Sequence, residues 1–221
     1  MKKLSIIFCI LIGSLYTNAQ IIEQGEHNPI WGVRAAFDVN LPGHVRIKTY
    51  NDKMFRAGTG GGIGAVCNIY LGHKFYLEPA VTLFYDTYSY NDLVITNDDG
   101  IVIEKDPSVY KAGFRIPVVV GYSFSISDRL SIAPFTGPEL SYAFAGNIKI
   151  RNKESLDLHG NLLFGEIGSQ RRFDCGWKIG IAFFSGMWSF NIDASIGMTN
   201  LMKNGTTFRE NRATVNVTRY F

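Results

Sequence analysis

Phe173-Asp174-Cys175-Gly176-Trp177-Lys178-Ile179-Gly180-Ile181-Ala182-Phe183 decides the fold. Its odd positions are wholly apolar, and its even positions are charged or very small. That is a period of two, which belongs to a strand with two unlike faces and not to a helix of period 3.6. The next segment repeats the division, with Phe190, Ile192, Ala194, Ile196 and Met198 set against Asn191, Asp193, Ser195 and Gly197. Two consecutive segments of this kind, joined by a few residues, read as a β-hairpin.

Extended to the rest of the chain, the same alternation gives eight strands, at about residues 31–41, 55–70, 75–88, 109–124, 130–144, 171–184, 188–200 and 210–221. Apolar faces carry Trp31, Val33, Phe37 and Val39 in the first strand and Ile63, Ala65, Cys67 and Ile69 in the second. Phe75, Leu77, Val81, Leu83 and Tyr85 mark the third, and Phe114, Ile116, Val118 and Val120 the fourth. Pro79, Pro117, Pro134 and Pro138 fall inside these runs. Proline removes a ladder donor, so bulges or strand ends are expected there. Tight turns at 71–74, 125–129 and 185–187 alternate with longer polar connections at 42–54, 89–108, 145–170 and 201–209. Long and short connections therefore lie at opposite ends of an up-and-down meander.

The chain has 221 residues, 46% hydrophobic, 14% aromatic and 19% charged, with a formal charge of +3. So many aromatics with so little charge exclude a disordered chain. No clustered basic stripe supports nucleic-acid binding. The one long apolar run is at the N-terminus. Lys2 and Lys3 precede the apolar Leu4–Ile12, and Thr17-Asn18-Ala19 supplies small residues before Gln20. This is the pattern of a cleaved signal peptide over residues 1–19, leaving residues 20–221 as one exported domain. Cys9 lies inside the apolar run, with more apolar residues after it, so it does not read as a lipoprotein anchor.

An exported eight-stranded meander can bury its apolar face inward, as a soluble lipocalin-like carrier does, or turn it to lipid, as an outer-membrane barrel does. Side-chain size separates the two. The polar face offers Gly60, Gly62, Gly64, Ala80, Gly113, Gly121, Ala133, Gly137, Gly176, Gly180 and Gly197. Small residues suit the narrow interior of eight strands; the face crowded with Phe, Trp, Tyr, Ile and Leu does not. Tyr85, Tyr110, Tyr122, Tyr142, Trp31 and Trp188 near strand ends match aromatic girdles. The expected fold is an all-β, eight-stranded antiparallel transmembrane barrel in the cell outer membrane. Mean hydropathy of only +0.04 is then an average over two opposed faces.

Tyr76-Leu77-Glu78-Pro79, Arg115-Ile116-Pro117-Val118-Val119-Val120-Gly121-Tyr122, Pro134-Phe135-Thr136-Gly137-Pro138, Phe173-Asp174-Cys175-Gly176 and the closing Tyr220-Phe221 occur in that order. In these pieces the chain resembles the outer-membrane β-barrel family that includes PorT-like proteins, over about residues 30–221. The resemblance implies the barrel fold and an outer-membrane location. It also implies Phe221 as the end of an assembly signal read by the outer-membrane assembly machinery, and an accessory part in protein secretion for some members. Arg219 departs from the apolar residue usual in such a signal.

The polar face places Arg34, Arg56, Lys111, Arg115, Lys178 and Arg212 in the lumen with Asp38, Glu78, Asp86, Glu139, Asp174 and Asp193. A balanced set in a narrow interior reads as a charge-paired structural plug, with an ion or proton pathway as the alternative. No cofactor or metal motif is present. Gly60-Gly61-Gly62 lacks the Lys-Ser/Thr of a phosphate loop. His27, His44, His73 and His159 all fall outside the strands, which leaves a barrel-wall hydrolase without a base. Cys67 and Cys175 lie on the lipid face of the second and sixth strands, on opposite sides of the barrel, and are expected to remain free thiols. The sequence thus points to a non-catalytic barrel with a structural, adhesion or envelope-interaction role. Its expected partners are outer-membrane lipid and, through loops 89–108 and 145–170, envelope or secretion proteins.

Overall fold

Every alternating segment forms a strand in the computed structural model, which describes residues 29–47, 50–52, 55–91, 93–97, 100–104, 108–149, 163–164, 170–203 and 206–221. The signal segment 1–19, His27 and His159 lie outside the described residues. The wall consists of β1 (Ile30–Pro42), β2 (Gly58–Gly72), β3 (Phe75–Tyr90), β4 (Ser108–Tyr122), β5 (Leu130–Lys149), β6 (Phe173–Ser185), β7 (Trp188–Gly197) and β8 (Glu210–Tyr220). Each strand pairs antiparallel with the next. β8 returns to β1, from Gly32 opposite Tyr220 to Pro42 opposite Glu210, and so closes the sheet without an edge.

Closure fixes the width of the interior. The register runs once round the wall from Gly32 through Val66, Ala80, Pro117, Glu139, Gly176, Gly197 and Glu210. It meets β1 again at Pro42, ten residues further along. Eight strands with that stagger lean about 40° from the barrel axis and leave a bore that side chains can fill.

The four prolines do not sit at bulges or strand ends. All lie within strands, and Cα pairing lapses opposite three of them, at Cys67/Pro79, Ala80/Pro117 and Val118/Pro138. Pairing resumes beyond each lapse in the same register. A slip of one residue would turn every following side chain through the wall, so the ladder loses a hydrogen bond and keeps its faces. The register shifts occur elsewhere, at Tyr70/Gly72, Ser125/Ser127 and Ala143/Ala145.

The apolar face points outward. Trp31, Phe37, Ile63, Leu83, Ile179, Ile192 and Ile196 are each more than half exposed, and similar side chains continue on β4, β5 and β8. This is the reverse of a lipocalin-like carrier and the surface of a transmembrane barrel. Among the described residues no helix is long and apolar enough to cross a membrane. Outer-face aromatics meet at two levels. Phe75, Tyr122 and Phe124 cluster at the short-turn end, and Tyr85, Tyr110, Phe114 and Tyr142 pair toward the long-loop end.

Short additional strands extend the long-loop end. Val45–Ile47 pairs with both Tyr50–Asp52 and Thr206–Thr207, joining the β1–β2 and β7–β8 connections. Leu93–Asn97 and Gly100–Glu104 form a separate hairpin between β3 and β4.

Candidate functional site in the barrel lumen

The lumen is filled in three layers. At the short-turn end, inward-facing Val66, Tyr76, Ala80, Val119, Phe135, Phe184 and Tyr220 form a buried apolar base. At the long-loop end, Phe84, Tyr88, Val109 and Ala143 of the wall pack with Phe55, Leu163, Phe164, Leu201, Met202 and Phe208 from the connections. Tyr88 and Gln170 exchange hydrogen bonds of 3.1 and 2.9 Å beneath this cap. Between the two apolar layers lie the charges.

Arg115 on β4 is central. Its guanidinium donates to Asp38 Oδ2 on β1 at 2.8 Å, pairs with Asp86 on β3, and stacks over the Phe84 ring at 4.0 Å. Arg212 on β8 pairs with Glu139 on β5 and approaches Asp38 Oδ1 at 3.5 Å. Lys178 on β6 reaches Glu139 at 3.3 Å and Asp193 at 2.9 Å. Thr214 and Asn216 donate to Asp38 and Asp193. Lower in the lumen Arg34 pairs with Glu78, which also accepts the Tyr220 hydroxyl at 2.5 Å. These partners come from different strands because the positions facing the lumen at one level belong to residues far apart in the chain.

Two of the residues assigned to the lumen by sequence stand apart from this network. Arg56 is exposed outside it and donates to Asn91 at 2.5 Å. Phe55–Arg56 pairs with Tyr90 and Ser89, one residue out of step with the β2–β3 register. That slip turns Phe55 inward and Arg56 outward. Asp174 is half-buried beside the upper cavity, and its Oδ1 makes no hydrogen bond. Glu210, which the sequence reading leaves out, points inward and pairs with Lys111. The lumen therefore holds Arg34, Lys111, Arg115, Lys178 and Arg212 with seven carboxylates, Glu210 among them. Glu210 is the first residue of the expected strand 210–221, and the period of that strand, carried back from Arg212, places Glu210 inward.

Inward aromatics are the second omission. Tyr76, Phe84, Tyr88, Phe135, Phe184 and Tyr220 occupy the face assigned to small and charged residues, and each is buried. Their position is visible in the alternation Tyr76, Glu78, Ala80, Thr82, Phe84, Asp86, Tyr88.

Among the described residues the space left around these charges is slight. Two cavities of about 30 and 20 Å³ lie on either side of Arg115, Glu139 and Arg212, which line both. Each has room for a water or two, not for an open channel. Among the described residues no group of three His, Cys, Asp or Glu side chains is placed to hold a metal ion. His44 is exposed in the β1–β2 connection, and His73 lies in the β2–β3 turn. Cys67 and Cys175 are free thiols on the outer faces of β2 and β6.

The chain matches no protein-family model and no curated protein. It is similar in architecture to solved outer-membrane barrels. With the crystal structure of OprG from Pseudomonas aeruginosa it shares 9% identity over 90% of this chain and 98% of that one, with a TM-score of 0.49. With Ail, the attachment invasion locus protein of Yersinia pestis, solved with the heparin analogue sucrose octasulfate, it shares 10% identity over 88% and 99%, at 0.37. With the N-terminal β-barrel domain of Pseudomonas aeruginosa OprF it shares 14% identity over 85% and 97%, at 0.33.

Proposed function

We propose that this protein is an integral barrel of the cell outer membrane, exported by its N-terminal signal segment, with a structural, adhesion or envelope-interaction role. It catalyses no reaction and carries no open channel. The observation that supports this reading is the pairing of an outward apolar belt with an interior that the described residues fill in three layers. Lumen carboxylates such as Asp38 and Glu139 are engaged by Arg and Lys, so they are poor candidates for general acid or base work. Function then falls to the long-loop face, where a rigid scaffold presents connections of variable length.

The PorT-like resemblance favours a narrower second reading, an accessory role in protein secretion. A lumen this full has no room for a polypeptide, so that role is exercised from the loop face and not through the bore.

Two measurements test the first reading. Outer-membrane fractions should contain a species whose gel migration shifts on boiling, as folded barrels do. The purified protein should give no sustained conductance in a planar bilayer. Recovery in the soluble periplasm would defeat the membrane assignment, and a steady conductance would defeat the filled lumen. A deletion strain with normal surface cargo would remove the secretion reading.

A further inference from the structure

Backbone hydrogen bonds tie three connections into one platform above the barrel rim. Arg171 N–H donates to Leu201 O at 2.7 Å, Leu201 N–H to Phe208 O at 2.8 Å, and Gly43 N–H to Arg209 O at 2.9 Å. A bridge joins Gln170 to Met202. The buried Phe164, Leu201, Met202 and Phe208 anchor this platform from below.

Among the described residues, the charged side chains in its hydrogen-bonded segments are basic. Arg171 and Arg209 are exposed, and Arg172 and Lys203 are half-exposed. Segments 43–44, 170–172, 201–203 and 208–209 contain no Asp or Glu. Among the described residues neither Arg171 nor Arg209 has a carboxylate partner. Arg172 is fixed in place, donating to Phe144 O at 2.6 Å with its guanidinium over the Phe164 ring at 5.1 Å.

The platform also sits at a particular height. Leu41, Phe144, Phe173 and Met198 are the last outward apolar side chains on β1, β5 and β6 and just past β7, and all are exposed. Arg171 and Arg172 stand two and one residues before Phe173, Lys203 five after Met198, and Arg209 opposite Gly43, two residues past Leu41, all where the apolar belt ends.

We infer that this platform is a binding surface for the phosphate groups of the glycolipid in the surrounding outer leaflet. Guanidinium groups match phosphate oxygens with paired donors. Bases just beyond an apolar belt meet anionic headgroups without leaving water. Position at the belt edge favours a membrane lipid over a soluble polyanion. The inference rests on the proposed outer-membrane location with the long connections outside.

The test uses the full-length protein in zwitterionic detergent, with bound glycolipid counted by native mass spectrometry. Phosphorylated glycolipid is expected to bind, and its dephosphorylated form to bind much less. Arg171→Gln/Arg209→Gln should weaken phosphorylated binding about tenfold or more. Lys74→Gln/Arg129→Gln, which removes equal charge at the short-turn end, should leave it unchanged. Equal binding of the two glycolipids, or no effect of the first double variant, would overturn the inference. So would tighter binding of a soluble polyphosphate such as inositol hexakisphosphate. Heat-modifiable migration is read first on each sample. Its loss in the unmodified protein counts against the membrane reading, whereas a folded barrel without phosphate preference defeats this inference alone.

Discussion

Arg115 on β4 and Asp38 on β1 face each other across the bore, Nη1 to Oδ2 at 2.8 Å, although three strand interfaces separate them along the wall. The contact holds opposite sides of the barrel together from within. Both side chains are almost completely buried, so neither charge has water to fall back on.

Arg115→Leu leaves Asp38 and Asp86 short of a partner and should cost about 3–5 kcal/mol. Arg56→Leu, at the exposed position one register step outside the lumen, should stay within about 0.5 kcal/mol. Urea titration followed by the heat-modifiable gel band measures both. Equal midpoints for the two variants would contradict the assignment of Arg56 to the surface.

Tyr220 closes the base of the lumen and ties the last strand to Glu78 on β3. Tyr220→Phe keeps the ring and loses the hydroxyl that Glu78 accepts, a hydrogen bond to a charged group worth about 1.5–3 kcal/mol. Tyr220→Ala also empties the site and should cost about 3–5 kcal/mol. If Phe and Ala proved equally mild in refolding yield and urea midpoint, the base cluster would have no part in closing the barrel.

The β2–β3 turn holds two non-glycine residues in the left-handed region, His73 at φ 50° and Lys74 at φ 68°. A two-residue hairpin turn of this hand favours Asn-Gly. His73→Asn/Lys74→Gly should therefore raise stability by about 1 kcal/mol or a little more, because left-handed geometry costs ordinary side chains about 1–2 kcal/mol per residue. A lower urea midpoint would count against the turn geometry.

Cys67 and Cys175 lie on the outward face, on strands four apart in the wall. A water-soluble maleimide should leave both unlabelled in lipid bilayers and label both in urea. No mass change is expected on reduction. Rapid labelling of folded protein in a bilayer would place these thiols outside the belt.

By itself the sequence determined the strand number, the face each strand turns to lipid, and the end at which the long connections lie. Those properties follow from a period of two and from the spacing of turn residues, and both are local. Tertiary structure alone decided which charge meets which. Arg115 finds Asp38, and Arg212 finds Glu139, only because the wall closes with a ten-residue stagger that brings distant positions to one level. Closure also decided what fills the ends. Tyr76, Phe135, Phe184 and Tyr220 converge from four strands, while Phe55, Phe164 and Phe208 arrive from three connections, and no single strand's pattern reports that meeting. Arg56 and Glu210 mark the boundary between the two kinds of information. Each lies at a strand end, Arg56 where a one-residue slip changes the face and Glu210 at the first residue of the expected strand 210–221. At Arg56 that choice is made by pairing with the neighbouring strand, whereas Glu210 keeps the period of β8 itself.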